Sequence, residues 1–222
     1  MPSLPTHAVA ALGIGACFYG SEIPKSIWVI GAVCSVIPDL DVIGFSFGIR
    51  YGDFWGHRGF AHSLAFAALL ALGIVLLGFR HGVCGMHAPV LWLYLFLAAA
   101  SHGLLDAMTD GGLGVALFSP FDNHRYFFPW TPIRVSPIGV GRFFGARGLA
   151  VLRSEFIWIW LPTIVLAVLA MLLRQRNLKR LRGEGARFSA RTPARRRVRC
   201  SLRPCRSVAA SDPHRVDEYL KL

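Results

Sequence analysis

The sequence predicts an all-α, multi-pass helical membrane protein: three long spans and a short helical hairpin, followed by a disordered basic C-terminal tail. Three observations predict it. The 222 residues are 54 % hydrophobic and only 16 % charged, with a mean hydropathy of +0.49, whereas a soluble domain is about a quarter charged. Three segments reach the roughly 20 apolar residues that a bilayer crossing needs. The charge is also segregated. Residues 1–173 carry nine Lys and Arg against eight Asp and Glu, and residues 174–222 carry fifteen against four. The formal charge of +12 therefore belongs to the tail, and the basic pI is no argument for a nucleic-acid partner.

The elements follow in chain order. Met1 to Thr6 contain no Lys or Arg, so the positive n-region of a signal peptide is missing and residues 7–20 read as part of the mature chain. His7–Tyr19 and Ile27–Ile37 are apolar but short, a length that suits re-entrant or bundle-packed helices. The Ser-, Pro- and Lys-containing link SEIPKS makes them a helical hairpin. Gly59–Phe79, Ala88–Met108 and Glu155–Leu173 are the long spans, the last with a tolerated Pro162. Between them, residues 109–154 form a loop whose Phe127, Phe128 and Trp130 suit the membrane interface. Residues 1–173 thus form a membrane-embedded helical domain. Residues 174–222 form an Arg-rich tail whose low hydrophobicity and high charge argue disorder and whose basic residues suit contact with anionic lipid. The five cysteines are odd in number and contain no Cys-x-x-Cys pair, so neither a disulfide framework nor a thiolate zinc site is expected.

Ionisable groups at or inside spans are costly and mark function. His7 begins the first short helix, and Pro38-Asp39-Leu40-Asp41 ends the second. His57-Arg58-Gly59-Phe60-Ala61-His62-Ser63 begins one long span, and Ser101-His102-Gly103-Leu104-Leu105-Asp106 ends the next. The start of one hairpin arm and the end of its partner lie at the same face, and the link 42–56 is short. All four clusters therefore converge on one membrane face. His102 and Asp106 are four apart and share a helical face, which Asp110 would continue if the helix persisted. Asp39 and Asp41 would point to opposite sides of an extended backbone, making one of them the ligand. Gly59 suggests that His57 precedes its helix and turns inward.

Histidine and carboxylate without thiolate suit Zn²⁺ first, with Mn²⁺ or Fe²⁺ as alternatives. Up to seven candidate ligands are present, His7, Asp39, Asp41, His57, His62, His102 and Asp106, more than the three protein ligands of a mononuclear catalytic zinc. The order and spacing of these clusters, together with Gly114–Asp122, resemble the YdjM/YbcI family of inner-membrane proteins over about residues 3–140. That family is described as membrane-bound metal-dependent hydrolases. The resemblance implies a helical inner-membrane protein with a hydrolytic metal centre, in which His7, Asp39, His57, His62, His102 and Asp106 hold the metal or act in catalysis. Such a centre would activate water for attack on a phosphoryl or acyl group. Asp41 or His57 would move the proton, and Arg58 would hold an anionic oxygen. A site at the membrane surface favours membrane lipids, and a lipid-like phosphoester or ester, as the molecules it meets. The competing reading is a non-enzymatic metal-binding membrane protein or metal transporter, although a transporter places its ligands nearer the midplane. Arg174, Arg176, Lys179, Arg180 and Arg182 just past the last span put the tail in the cytoplasm and the His/Asp face outside. Arg142, Arg147 and Arg153, on the other side of that span, argue against this sidedness.

Overall fold

A computed structural model of the chain describes residues 1–18, 20, 22–83, 85–136 and 145–191, with residues 178–191 described by backbone alone. The chain divides into two units, Met1–Lys179 and Arg180–Leu222. The described residues are helical, with isolated bridges but no strand among them. Of the tail, residues 174–191 belong to the last helix; the disorder expected of residues 192–222 lies outside the described residues.

In chain order the first unit contains α1 (Leu4–Phe18), α2 (Lys25–Cys34), a 3₁₀ segment (Ile37–Phe47), a 3₁₀ turn (Phe60–His62), α3 (Leu64–Gly78) and α4 (Ala88–Ala107). A long final helix follows. It starts as α5 (Ala146–Glu155), widens into a π-helical turn (Phe156–Trp160) and continues as α6 (Leu161–Arg191). Pro162 explains the wide turn. A proline within a helix has no N–H and crowds the carbonyl four residues back, and the extra residue of a π turn gives that carbonyl room.

Helix α4 is the hub, packing against α1, α2 and α3. Its Leu91, Tyr94, Leu95 and Ala98 are buried with Ala11, Ile27, Cys34 and Ala71 from the surrounding helices. Close approach depends on small residues, as is usual between membrane helices. A Cβ on Gly31 would fall 2.0 Å from the Tyr94 hydroxyl. The outward faces carry Val29, Val33, Leu69, Leu76, Leu77, Ile164, Val165 and Leu166, all exposed. So large an apolar surface is what lipid covers.

Among the described residues three helices are long and apolar enough to cross a membrane, but they are not quite the three expected. They are Lys25–Phe47, Ala88–Ala107 and Ala146–Asn177, whereas Leu4–Phe18 and Leu64–Gly78 are shorter. The expected span Gly59–Phe79 reduces to α3 because Ser63 caps that helix, its hydroxyl accepting from the Phe66 amide. Residues 60–62 form a separate 3₁₀ turn that faces inward. The expected short arm Ile27–Ile37 instead runs nearly unbroken from α2 into the first 3₁₀ segment. The last helix also passes Leu173, where composition placed its end, and reaches Arg191. Extending an existing helix is far easier than nucleating one, and Arg, Gln, Lys and Leu are good helix formers.

Candidate metal centre

One end of the bundle gathers the polar clusters. His7 lies in the first turn of α1, Asp39 and Asp41 near the start of the 3₁₀ segment, His57 and Arg58 in the loop beyond, His62 at the end of the 3₁₀ turn, and His102 and Asp106 in the last turns of α4. All are buried except Asp41, which is partly exposed.

Four of these residues bring one donor atom each to a common point. His62 Nε2 is 3.1 Å from His102 Nε2, 3.6 Å from Asp39 Oδ1 and 3.5 Å from Asp106 Oδ2. His102 Nε2 is 3.3 Å from Asp39 Oδ1. Ligand bonds of about 2.0–2.1 Å around a tetrahedral ion give edges of about 3.3 Å, the spacing seen here. The protonation pattern agrees. His102 Nδ1 lies 2.6 Å from the Ser35 carbonyl, which can only accept, so Nδ1 carries the proton and Nε2 presents its lone pair. That carbonyl is available because α2 ends at Cys34 and the last carbonyls of a helix lack internal partners. Both carboxylate oxygens of Asp39 and of Asp106 are buried without a hydrogen bond among the described residues. Burying two such groups is costly unless cations compensate them. The cluster Asp39, His62, His102 and Asp106 can thus hold a metal ion.

His62 is shared. Its Nδ1 lies 3.1 Å from Asp41 Oδ2 while its Nε2 faces the four-atom cluster. Asp41 Oδ1 in turn lies 2.7 Å from His57 Nδ1, and Asp41, His57 and His62 form a second group with metal-ligand spacing. The backbone explains how two aspartates two residues apart serve both edges of one ring. They sit on a 3₁₀ segment, where successive side chains turn by about 120°, rather than on the extended strand expected.

His7 stacks on His102 with ring centroids 3.7 Å apart, and its Nε2 is 3.6 Å from Asp106 Oδ1. Neither of its ring nitrogens makes a hydrogen bond among the described residues. It borders the four-atom cluster without belonging to it. Arg58 is fully buried with a left-handed backbone, φ 63°. Its Nε is 3.1 Å from Asp106 Oδ2, Nη1 donates to the Gly111 carbonyl and Nη2 to Thr109 Oγ1. The Arg58 guanidinium, for which an anion-holding role is expected, faces Asp106 and α4's terminal turn from a buried position. Asp110 does not continue the His102–Asp106 stripe. The helix stops at Ala107, and the Asp110 carboxylate accepts from the Val135 amide instead.

Several contributors carry no signal that the motif reading used. Gly103 lets the 3₁₀ turn lie against α4, since a Cβ there would fall 2.4 Å from the His62 carbonyl oxygen; its place beside His102 was the available hint. Arg125 donates to the carbonyls of His57, Tyr51 and Asp53 and pins the loop that carries His57. Beside it, Tyr126 donates to Asp122 and holds that exposed carboxyl below its ordinary range. Glu155, fully buried, accepts from the Ser3 amide, the Ser3 hydroxyl and the Thr6 hydroxyl, fixing the segment that carries His7.

Fold and site together define a multi-pass helical membrane protein with a buried histidine–carboxylate cluster able to hold a metal ion. The YdjM inner membrane protein family matches the chain over residues 1–178, and the chain belongs to that family. It is similar to inner membrane protein YbcI of Escherichia coli (strain K12), with 40 % identity over 166 residues that make up 75 % of this chain and 95 % of that protein. No solved structure matches the chain.

Proposed function

We propose that this chain is a membrane-bound metal-dependent hydrolase acting on a phosphoester or ester of a lipid-like substrate at the membrane surface. The observation that carries the reading is the convergence of Asp39 Oδ1, His62 Nε2, His102 Nε2 and Asp106 Oδ2 at spacings that suit one divalent ion. The nitrogen and oxygen donors fit Zn²⁺ first, with Mn²⁺ and Fe²⁺ next. A divalent ion held there supplies Lewis acidity and an activated water at neutral pH.

The protein's own groups do the rest. Asp41 Oδ2, 3.1 Å from His62 Nδ1, faces the outer edge of that ring, where metal-bound histidines commonly have a carboxylate support. Asp41 and His57 together can take and return a proton at the partly exposed edge of the centre. Arg58 acts as a positioning residue by holding Asp106, and His7 buttresses His102 by stacking. The lipid-like substrate is supported by a groove of about 380 Å³ lined by Ile37, Leu40, Ile49, Trp55 and Phe66, in which Asp41 is the charged residue. An acyl chain lying there would bring a headgroup ester to the centre. By the positive-inside rule the C-terminal tail is cytoplasmic and the centre faces outward.

Elemental mass spectrometry on the detergent-purified protein, beside the His62→Ala/Asp106→Ala variant, is the test. One or two equivalents of zinc, manganese or iron, lost in the variant, are expected, with turnover in a screen of lipid phosphoesters and esters. No stoichiometric metal after repletion with each ion would sink the reading. The near-complete burial of all four donors favours a second reading, a non-enzymatic metal-binding membrane protein. That reading predicts the same metal content with no turnover of any lipid tested.

A further inference from the structure

A second polar feature lies beside the centre and is independent of it. Arg134, Arg147 and Arg153 line two adjoining clefts, of about 300 and 480 Å³, where the loop before α5 meets the start of the long final helix. All three are exposed. Arg147 and Arg153 make no ion pair or hydrogen bond among the described residues. Arg134 has one distant ionic contact, 3.8 Å from Asp110. Its backbone is nevertheless fixed, its amide donating to Ser154 Oγ on α5. Among the described residues, three guanidinium groups thus stand against one carboxylate.

Their depth is set by the sequence that follows. Residues 156–173 are an almost unbroken apolar run. At 1.5 Å per residue it spans about 27 Å, close to the hydrocarbon thickness of about 30 Å. Arg153 and Ser154 therefore sit at headgroup level, and Arg147 lies about two turns further out. Below them the larger cleft is walled by Ile157 and Trp158. Trp158 packs edge-on against Trp130 at 4.7 Å, a pairing suited to the interfacial belt. Basic above and apolar below matches the chemistry of a phospholipid, and guanidinium pairs bidentately with phosphate.

We propose that Arg134, Arg147 and Arg153 form a binding site for the headgroup of an anionic phospholipid whose acyl chain descends along Ile157 and Trp158. The site lies at the same end of the bundle as the histidine–carboxylate cluster, since Asp110, four residues after Asp106, lines the smaller cleft. It gives the arginines before the last span a use other than setting sidedness.

Native mass spectrometry of the delipidated full chain, titrated with phosphatidylglycerol or phosphatidylcholine, tests this. The unsubstituted protein is expected to prefer phosphatidylglycerol. The Arg134→Gln/Arg147→Gln/Arg153→Gln variant should lose that preference by about tenfold or more, and Arg147→Gln alone should lose part of it. An Arg195→Gln/Arg196→Gln/Arg197→Gln variant removes the same charge from the tail and should keep the preference. Equal loss in both triple variants would show a charge count rather than a site. No preference in the unsubstituted chain would overturn the proposal. So would displacement of the lipid by equimolar inorganic phosphate, which would mark a site for a soluble anion.

Discussion

His62 lies between the two groups of the centre, because its Nε2 faces Asp39 and Asp106 while its Nδ1 faces Asp41. The two aspartates should therefore fail differently when neutralised. Asp39→Asn removes a donor charge from the four-atom cluster and is expected to abolish stoichiometric metal. Asp41→Asn leaves the cluster intact but loosens the His62 ring, and is expected to weaken metal affinity by about 10–100-fold while stoichiometry returns at saturating ion. Metal titration of both variants checks the difference; identical titration curves would mean that Asp41 is not an outer support. Much of this was legible in the sequence. His7, Asp39, His62, His102 and Asp106 were placed at one face by connectivity alone, since each stands at the end of an apolar run. What Arg58 contacts was not legible. Its left-handed backbone turns the side chain toward Asp106 and α4's end, and a motif that sets Arg beside His cannot display a backbone angle.

At the scale of elements, the final helix is fastened through its π turn. Glu155 precedes that turn and is fully buried, and Trp160 at its end donates to the Thr6 hydroxyl that also donates to Glu155. Glu155→Ala would leave the Ser3 amide and hydroxyl and the Thr6 hydroxyl without their acceptor, a loss on the order of 1–3 kcal/mol. Thermal unfolding followed by circular dichroism should show a lowered midpoint, with Glu155→Gln falling between the two because an amide oxygen still accepts. A midpoint unchanged in Glu155→Ala would remove this tie from the account. Here the sequence was less informative. Hydropathy counts apolar residues but does not register caps, so it assigned Gly59–Ser63 to a span and Glu155 to a span boundary. Ser63 and the 3₁₀ turn before it shorten α3, whereas α2 gains length from a 3₁₀ segment that apolar composition alone does not distinguish from a loop.

Among the described residues three helices are long and apolar enough to cross a membrane, and two apolar helices are shorter. The sidedness proposed above puts the basic residues after Leu173 on the cytoplasmic side. A fluorescent protein fused there should fold and fluoresce, and an alkaline phosphatase fusion at the same point should be inactive. The reverse pattern would turn the centre toward the cytoplasm. Helices α1 to α4 supply every side chain of the four-atom cluster or the loops that carry them, yet the brace for His7 comes from Glu155, 152 residues beyond Ser3. Order of synthesis gives that separation a meaning. At about 5–20 residues per second, the ribosome delivers Glu155 roughly ten seconds after His7. His102 arrives about two-thirds of the way through that interval, so a chain stopped between Asp106 and Glu155 carries all four residues of the cluster while the first helix still lacks its anchor. The brace on the first helix is thereby made after all four residues of the cluster it borders.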